Sequence, residues 1–184
     1  MNNKNIASLP QYHPINKSPN FEIRNIIPQD TSNFLQLQKH LDKETDFMLL
    51  YPEERNSSIF LLQDNIQSSL KYGSLLLVID DGNKLVGYLQ ASRGRYKKIH
   101  HSAYIVVGIL AAAAGKGLGK LLFKELDCWA RNNNITRLEL TVMKSNKIAQ
   151  RLYSKMGFKI EGVKHNSIFM HGHYIDEYYM AKCF

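Results

Sequence analysis

Two cysteines, Cys128 and Cys183, are all that the 184 residues contain, and neither belongs to a Cys-x-x-Cys pair. That excludes a disulfide-stapled scaffold and a cysteine-rich zinc module, and two ordinary reduced thiols are expected. Long apolar runs are missing as well. The longest, Leu75 to Ile79 and Ala103 to Ala114, fall short of the roughly 20 residues that span a bilayer, so no membrane-spanning helix is expected. The N-terminal stretch MNNKNIASLPQYHPINKSPNF lacks the apolar core of a secretory signal, and cytoplasm is the expected location. No internal repeat is present, and the one low-complexity patch is Ala111 to Ala114. The most telling absence is acid: from Lys84 to Lys124 there is no Asp or Glu.

That gap locates the charge. The chain carries 24 Lys and Arg against 16 Asp and Glu, a formal net charge of +8. Eight of the cations (Lys84, Arg93, Arg95, Lys97, Lys98, Lys116, Lys120, Lys124) lie in the acid-free stretch, and the rest of the chain is balanced. A solvated basic face is the plain reading of such a run, and an anionic partner is the sharper one. Hydrophobic residues at 44% and charged residues at 22% describe an ordinary globular chain. The length suits one domain, expected over residues 21–184 after a loose tail at 1–20 rich in Asn, Ser and Pro.

Periodicity predicts the elements. Phe21, Ile23, Asn25 and Ile27 alternate as a strand ending at Pro28. A helix capped by Asp30 or Thr31 runs to about Leu41 with Phe34, Leu37, His40 and Leu41 on one face. A second helix, about Ser57 to Tyr72, repeats Ile59, Leu62, Ile66 and Leu70. Strands Leu75 to Ile79, Leu85 to Ser92 and Ser102 to Leu110 follow as an antiparallel meander. The period then becomes 3.6 from Lys116 to Arg131, with Leu118, Leu122, Leu126 and Trp129 inward. Leu138, Leu140 and Val142 form a strand, a helix capped by Ser145 or Asn146 runs to Met156, and a hairpin turning at His171-Gly172 closes the chain. The expected fold class is α+β, a mixed but mostly antiparallel central sheet flanked by helices.

Two segments carry chemistry. Gly115-Lys116-Gly117-Leu118-Gly119 joins a strand to a helix. It is no Walker A loop, because Leu110 stands at the first Gly position and Gly117 where Ser or Thr follows the Lys. It is no dinucleotide fingerprint either, because Lys120 takes the third Gly position. What remains is a small-residue turn at a helix N-terminus, flanked by Lys116 and Lys120. Unpaired N–H groups and the positive end of the helix suit a phosphate there, and a plain packing turn is the alternative. In the second segment, Asn146 to Phe158, helical spacing puts Ala149, Leu152 and Met156 in a buried stripe. Asn146 and Tyr153 fall at its shoulder as a polar pair at a cleft edge, or else as a plain N-cap and a boundary residue.

Strand, Gly115-x-Gly117-x-Gly119 turn, helix, strand and the Asn146 to Phe158 segment, in this order, resemble the GNAT superfamily of acyl-CoA-dependent N-acyltransferases. The resemblance runs from about Phe21 to the C-terminus, where Asp176 to Met180 looks like the last strand of many bacterial members. It implies that Ile109 and Ala111 offer main-chain hydrogen bonds to the pantetheine arm of acetyl-CoA. The pyrophosphate would fall on Ala114, Gly115, Lys116, Gly117, Leu118, Gly119 and Lys120, with Asn146 touching the pantetheine or adenosine part. Tyr153 would meet the cofactor as the general acid that protonates the departing thiolate. The family usually has Arg or Gln at the position of Ala114 and often Pro at that of Ala111. The implied function is transfer of acetyl from acetyl-CoA to a primary amine of a small molecule, peptide or protein, without a metal or covalent enzyme intermediate.

The base stays open. The family often has Glu where Tyr104 stands, and His100, His101, Tyr104 and Glu44 are candidates. His165, His171 and His173 lack the neighbouring carboxylates or cysteines of a metal site, and no metal is expected. The acidic loop Asp42 to Glu54, with Glu44, Asp46, Glu53 and Glu54, suits a cationic acceptor or is merely solvated. Two other readings remain: a CoA-binding regulatory protein without catalysis, and a basic nucleic-acid-binding module. The second is disfavoured because no exposed aromatic platform is expected among the cations. A homodimer through the C-terminal strands, with Tyr174, Tyr178, Tyr179 and Phe184, is compatible with the pattern.

Overall fold

The computed structural model describes residues 16–18 and 20–184. Among these residues eight strands form one sheet in the order β1-β2-β3-β4-β5-β6-β8-β7. They are β1 Asn16–Ser18, β2 Phe21–Asn25, β3 Leu75–Asp80, β4 Leu85–Arg93, β5 Ser102–Ile109, β6 Arg137–Met143, β7 Lys159–Met170 and β8 His173–Cys183. Among the described residues four α-helices accompany them: α1 Thr31–Glu44, α2 Ile59–Lys71, α3 Leu118–Asn132 and α4 Lys147–Lys155. Every strand pair is antiparallel except β5 and β6, whose crossover is α3. The α+β class and the meander expected from the sequence are therefore present. Order starts earlier than expected, since β1 pairs with β2 inside the supposed tail; residues 1–15 lie outside the described residues.

The sheet is covered on both sides, which is why β3 reads as an unbroken apolar run: Leu77, Val78 and Ile79 have no exposed surface. Neighbouring residues of a strand face opposite ways. A Cβ on Gly108 would meet Leu41 of α1, whereas Ile109 reaches Gly119 of α3. So α1 lies on one face of β5 and α3 on the other. On the α1 face Phe34 packs edge-on against Tyr88 at 5.1 Å between ring centres. Ser58 Oγ accepts from Leu61 N to cap α2.

Several expected faces are corrected. His40, about 100° round the helix from buried Leu41, comes out exposed, and Gln38 and Asp42 are buried in its place. Ile59 is exposed, while Leu62, Ile66 and Leu70 line a ≈ 190 Å³ cavity with Phe34 and Leu76. Trp129 is only half-buried, and Phe123 fills the core instead. In α4 the predicted stripe of Ala149, Leu152 and Met156 is half-buried, and the buried residue is Tyr153. Its ring is held by Phe123 and Phe158 at 5.6 and 6.1 Å, an aromatic cluster that draws it inward.

Candidate active site

The site begins where two strands part. β5 and β6 pair only from Ser102 to Tyr104 and from Arg137 to Glu139, after which β6 continues beside β8 alone. On its other edge β5 stays paired to β4, and Leu110 N donates to Val86 O at 2.9 Å. Antiparallel ladders alternate, so Gly108 and Leu110 turn their main chains to β4. Val107 and Ile109 turn theirs into the gap. The next N–H of that parity, on Ala111, donates to Glu44 Oε1 at the end of α1.

A single 3₁₀ turn, Ala111–Ala113, leads from β5 to the glycines. Gly115 and Gly117 have φ of +76° and +78°, and a Cβ on either would meet nothing. These two are glycine for conformation. Gly119 differs: its Cβ would lie 2.8 Å from Leu152 Cδ2, so it lets α3 approach α4. Gly117 is the N-cap of α3 and supplies no side-chain cap. Leu121 N is the first to bond back, to Gly117 O at 3.3 Å. Among the described residues the N–H groups from Gly115 to Lys120 have no acceptor, and they ring the positive end of a 15-residue helix. Lys120 is exposed beside them. Lys116 is different from expectation, because its ammonium turns back over the Phe21 ring at 4.8 Å and only its main chain faces the turn.

α4 closes the far wall. Asn146 Oδ1 accepts from Ala149 N at 3.1 Å, and Gln150 Nε2 donates to the carbonyls of Met143 and Lys144 at 3.0 Å, locking the helix start to the end of β6. The Asn146 cap is thus real, and its amide NH₂ is left without a partner among the described residues. Tyr153 projects from the same helix. Burial raises its phenol well above the ordinary tyrosine range, and Tyr104 adds to the rise. The Tyr153 hydroxyl has no hydrogen-bond partner among the described residues. Tyr104 itself bridges the strands at the root of the gap, its hydroxyl 2.9 Å from Thr141 Oγ1.

Comparison of the whole chain with known proteins gives the fold and this gap their family. The model of the acetyltransferase (GNAT) family matches residues 37–158. The chain belongs to this family. The L-amino acid N-acetyltransferase AaaT of Escherichia coli (strain K12) is 32% identical over 111 residues, which make up 58% of this chain and 66% of that relative, just under two thirds. A GNAT-family acetyltransferase from Streptococcus pneumoniae superposes with a TM-score of 0.84 at 27% identity, over 89% of this chain and 98% of that one. YncA from Salmonella typhimurium, solved with its cofactor acetyl-CoA, shares the fold: TM-score 0.79, 19% identity, 89% and 94% covered.

In this GNAT chain the candidate bases separate by position. His100 and His101 precede β5, at the end of the strand away from the glycine turn, and His100 Nδ1 lies 3.0 Å from Gly94 O. Neither is at the gap. Tyr104 is at its root and Glu44 at its mouth. The acidic loop is mostly structural: Asp42, with no exposed side chain, pairs with Arg55, and Glu54 accepts from Tyr51 N at 2.9 Å. Asp46 lies 3.4 Å from His171 Nε2, which brings the tip of the β7–β8 hairpin to this loop. The basic stretch also divides. Lys84, Lys116 and Lys120 are at the glycine end of the sheet, and Arg93 to Lys98 are at the other. Sequence reasoning passed over the main chain of Val107 and the Thr141 hydroxyl; the first could have been found two residues before Ile109 on the same side of the strand.

Proposed function

We propose that this GNAT protein is an N-acetyltransferase that moves the acetyl group of acetyl-CoA to a primary amine by direct attack. The reading rests chiefly on one observation: the free Val107 and Ile109 main chain faces a gap that opens beside the bare N-terminus of α3. Acetyl-CoA supplies an activated thioester and a pyrophosphate anchor, and both fit. Gly115 to Lys120 offer main-chain donors for the phosphates, with Lys120 alongside. Ile109 and Ala111 would offer their main chains to the pantetheine arm, and Asn146, whose amide NH₂ has no partner among the described residues, would meet it from the start of α4.

The protein's own groups then divide the work. A main-chain N–H in the gap, from Val107 or Ile109, stabilises the oxyanion as the amine nitrogen bonds to the carbonyl carbon. Tyr153, like any tyrosine, is protonated at neutral pH, and burial disfavours its phenolate further. It donates its proton to the sulfur as the C–S bond breaks. Glu44 is the carboxylate best placed to receive the amine and take up its proton, directly or through water. To do so it leaves the Ala111 N–H, which becomes available to the pantetheine arm. The acceptor is a small-molecule or peptide amine, and free L-amino acids lead the panel because a relative with 32% identity is an L-amino acid N-acetyltransferase.

The test follows free thiol release from acetyl-CoA over a panel of amines. Turnover with at least one primary amine is expected. Tyr153→Phe should lower kcat about 100-fold with little change in acetyl-CoA binding. Glu44→Gln should lower kcat about 10- to 100-fold at neutral pH, with partial recovery as pH rises and the free amine becomes more abundant. Absence of acetyl-CoA binding by calorimetry would overturn the proposal, and full activity of Tyr153→Phe would remove the acid role alone.

A further inference from the structure

The acid-free stretch forms a second pole that the acetyl-transfer site does not use. Lys84, Lys116 and Lys120 are at the glycine end of β5, but Arg93, Arg95, Lys97 and Lys98 gather at the β4–β5 connection. The length of β5 separates the two groups by about 23 Å, at about 3.3 Å per residue. Among the described residues none of these four cations has an ion-pair partner, and neither has Lys71 at the end of α2. Glu139 on the neighbouring β6 and Glu161 on β7, two strands beyond it, are both held by Arg137, so neither offsets this charge.

Aromatic rings stand among these cations, contrary to the expectation from sequence. The Arg95 guanidinium lies 5.2 Å over the Tyr72 ring, which α2 brings alongside. Tyr96 is 77% exposed between Arg95 and Lys97. Neither ring covers any core. The connection is also fixed in shape. Arg93 Nε donates to His100 O at 2.8 Å, Gly94 N to Ser102 O at 3.0 Å, Ile99 N to Tyr96 O at 2.9 Å and Ser102 Oγ to Ile99 O at 2.9 Å. The cations and Tyr96 therefore project from a pre-organised turn, and little ordering is needed on contact.

We propose that this pole, centred on Arg95, Tyr96, Lys97 and Lys98, is a docking surface for single-stranded nucleic acid. Phosphates sit on Arg95, Lys97 and Lys98, and a base stacks on the Tyr96 ring. Unpaired cations answer a phosphate backbone, and an exposed ring between them answers a base face; an acidic peptide would use the first and have no need of the second. The surface is separate from the acetyl-CoA site, so both ligands bind together.

The test is fluorescence anisotropy with a fluorescein-labelled oligouridylate on the intact protein, across a salt series, with and without saturating acetyl-CoA. Binding that weakens with salt and is unchanged by acetyl-CoA is expected. The triple variant Arg95→Gln, Lys97→Gln, Lys98→Gln should flatten the slope of log affinity against log salt by about 2, since each single-strand phosphate contact accounts for about 0.7. Tyr96→Ala should cost about 5- to 100-fold in affinity and Tyr96→Phe almost nothing. The melting temperature of each variant should match that of the unaltered protein, because these side chains are solvent-exposed. No binding at low salt would overturn the proposal. So would displacement by acetyl-CoA, which would assign the probe to the glycine turn. Equal competition by polyglutamate together with a silent Tyr96→Ala would overturn it in favour of an acidic protein partner.

Discussion

At the scale of single residues, similar neighbours in sequence do different physical work. Gly115, Gly117 and Gly119 read as one motif, yet the first two serve conformation and the third serves packing. Gly117→Ala places a side chain at φ +78° and should cost about 1–2 kcal/mol, read as a lower melting temperature. Acetyl-CoA affinity should fall with it as the N–H groups at the start of α3 lose their alignment. Gly119→Ala should act differently: about 1–3 kcal/mol from overpacking against Leu152, with Leu152→Ala in the same chain restoring part of it, because that second change removes the clash. Ala114 is the informative departure. It is exposed with extended backbone at the entry to the turn, and a guanidinium there has room to reach a phosphate held at Gly115 to Gly117. Ala114→Arg should therefore tighten acetyl-CoA binding by about 3- to 10-fold in calorimetry, an increment that fades at high salt.

At the scale of elements, strands and helices are legible in the sequence because their periods are, and what escapes is the relation between elements. Alternation along Leu138, Leu140 and Val142 announces β6, but nothing in it says that β6 leaves β5 after Glu139 and opens the gap that makes the site. Tyr153 illustrates the same point. Helical spacing puts it at the shoulder of α4, and only the arrival of Phe123 from α3 and Phe158 from the next turn buries it. The α1–α2 loop looks acidic and open in sequence. In three dimensions Asp42 is sealed beneath it and paired with Arg55, whose Nη2 donates to Asp42 Oδ1 at 2.7 Å. This pair fastens the segment that follows Glu44. Removing Arg55 leaves a buried carboxylate without a counter-charge, so Arg55→Ala should cost about 3–5 kcal/mol. Chemical denaturation is the measurement. Asp42→Asn combined with Arg55→Ala should be milder than Arg55→Ala alone, since the orphaned charge is then gone.

At the scale of the whole molecule, the sheet divides two compartments, and each contains a buried phenol. Tyr88 lies on the α1 face against Phe34, with its pKa pushed up to about 12 mainly by burial. Tyr153 lies on the α3–α4 side, also raised by burial. Both groups are neutral when protonated, and both bind their proton more tightly folded than unfolded, where tyrosine titrates near 10. The sign follows. Below about pH 10 both chains hold the proton in either state and stability is at its full value. Above it the unfolded chain ionises while the folded one resists, so stability falls as pH rises through 12. For Tyr88 alone the loss approaches about 3 kcal/mol. Thermal melts stepped from pH 8 to 12 should stay level at first and then drop, and Tyr88→Phe should flatten the drop at a modest cost from its lost hydrogen bond to Gln38. Tyr153→Phe should flatten what remains. If the single variants leave the alkaline limb unchanged, the loss belongs to the many exposed lysines shedding charge, and the two cores do not couple to pH through their tyrosines.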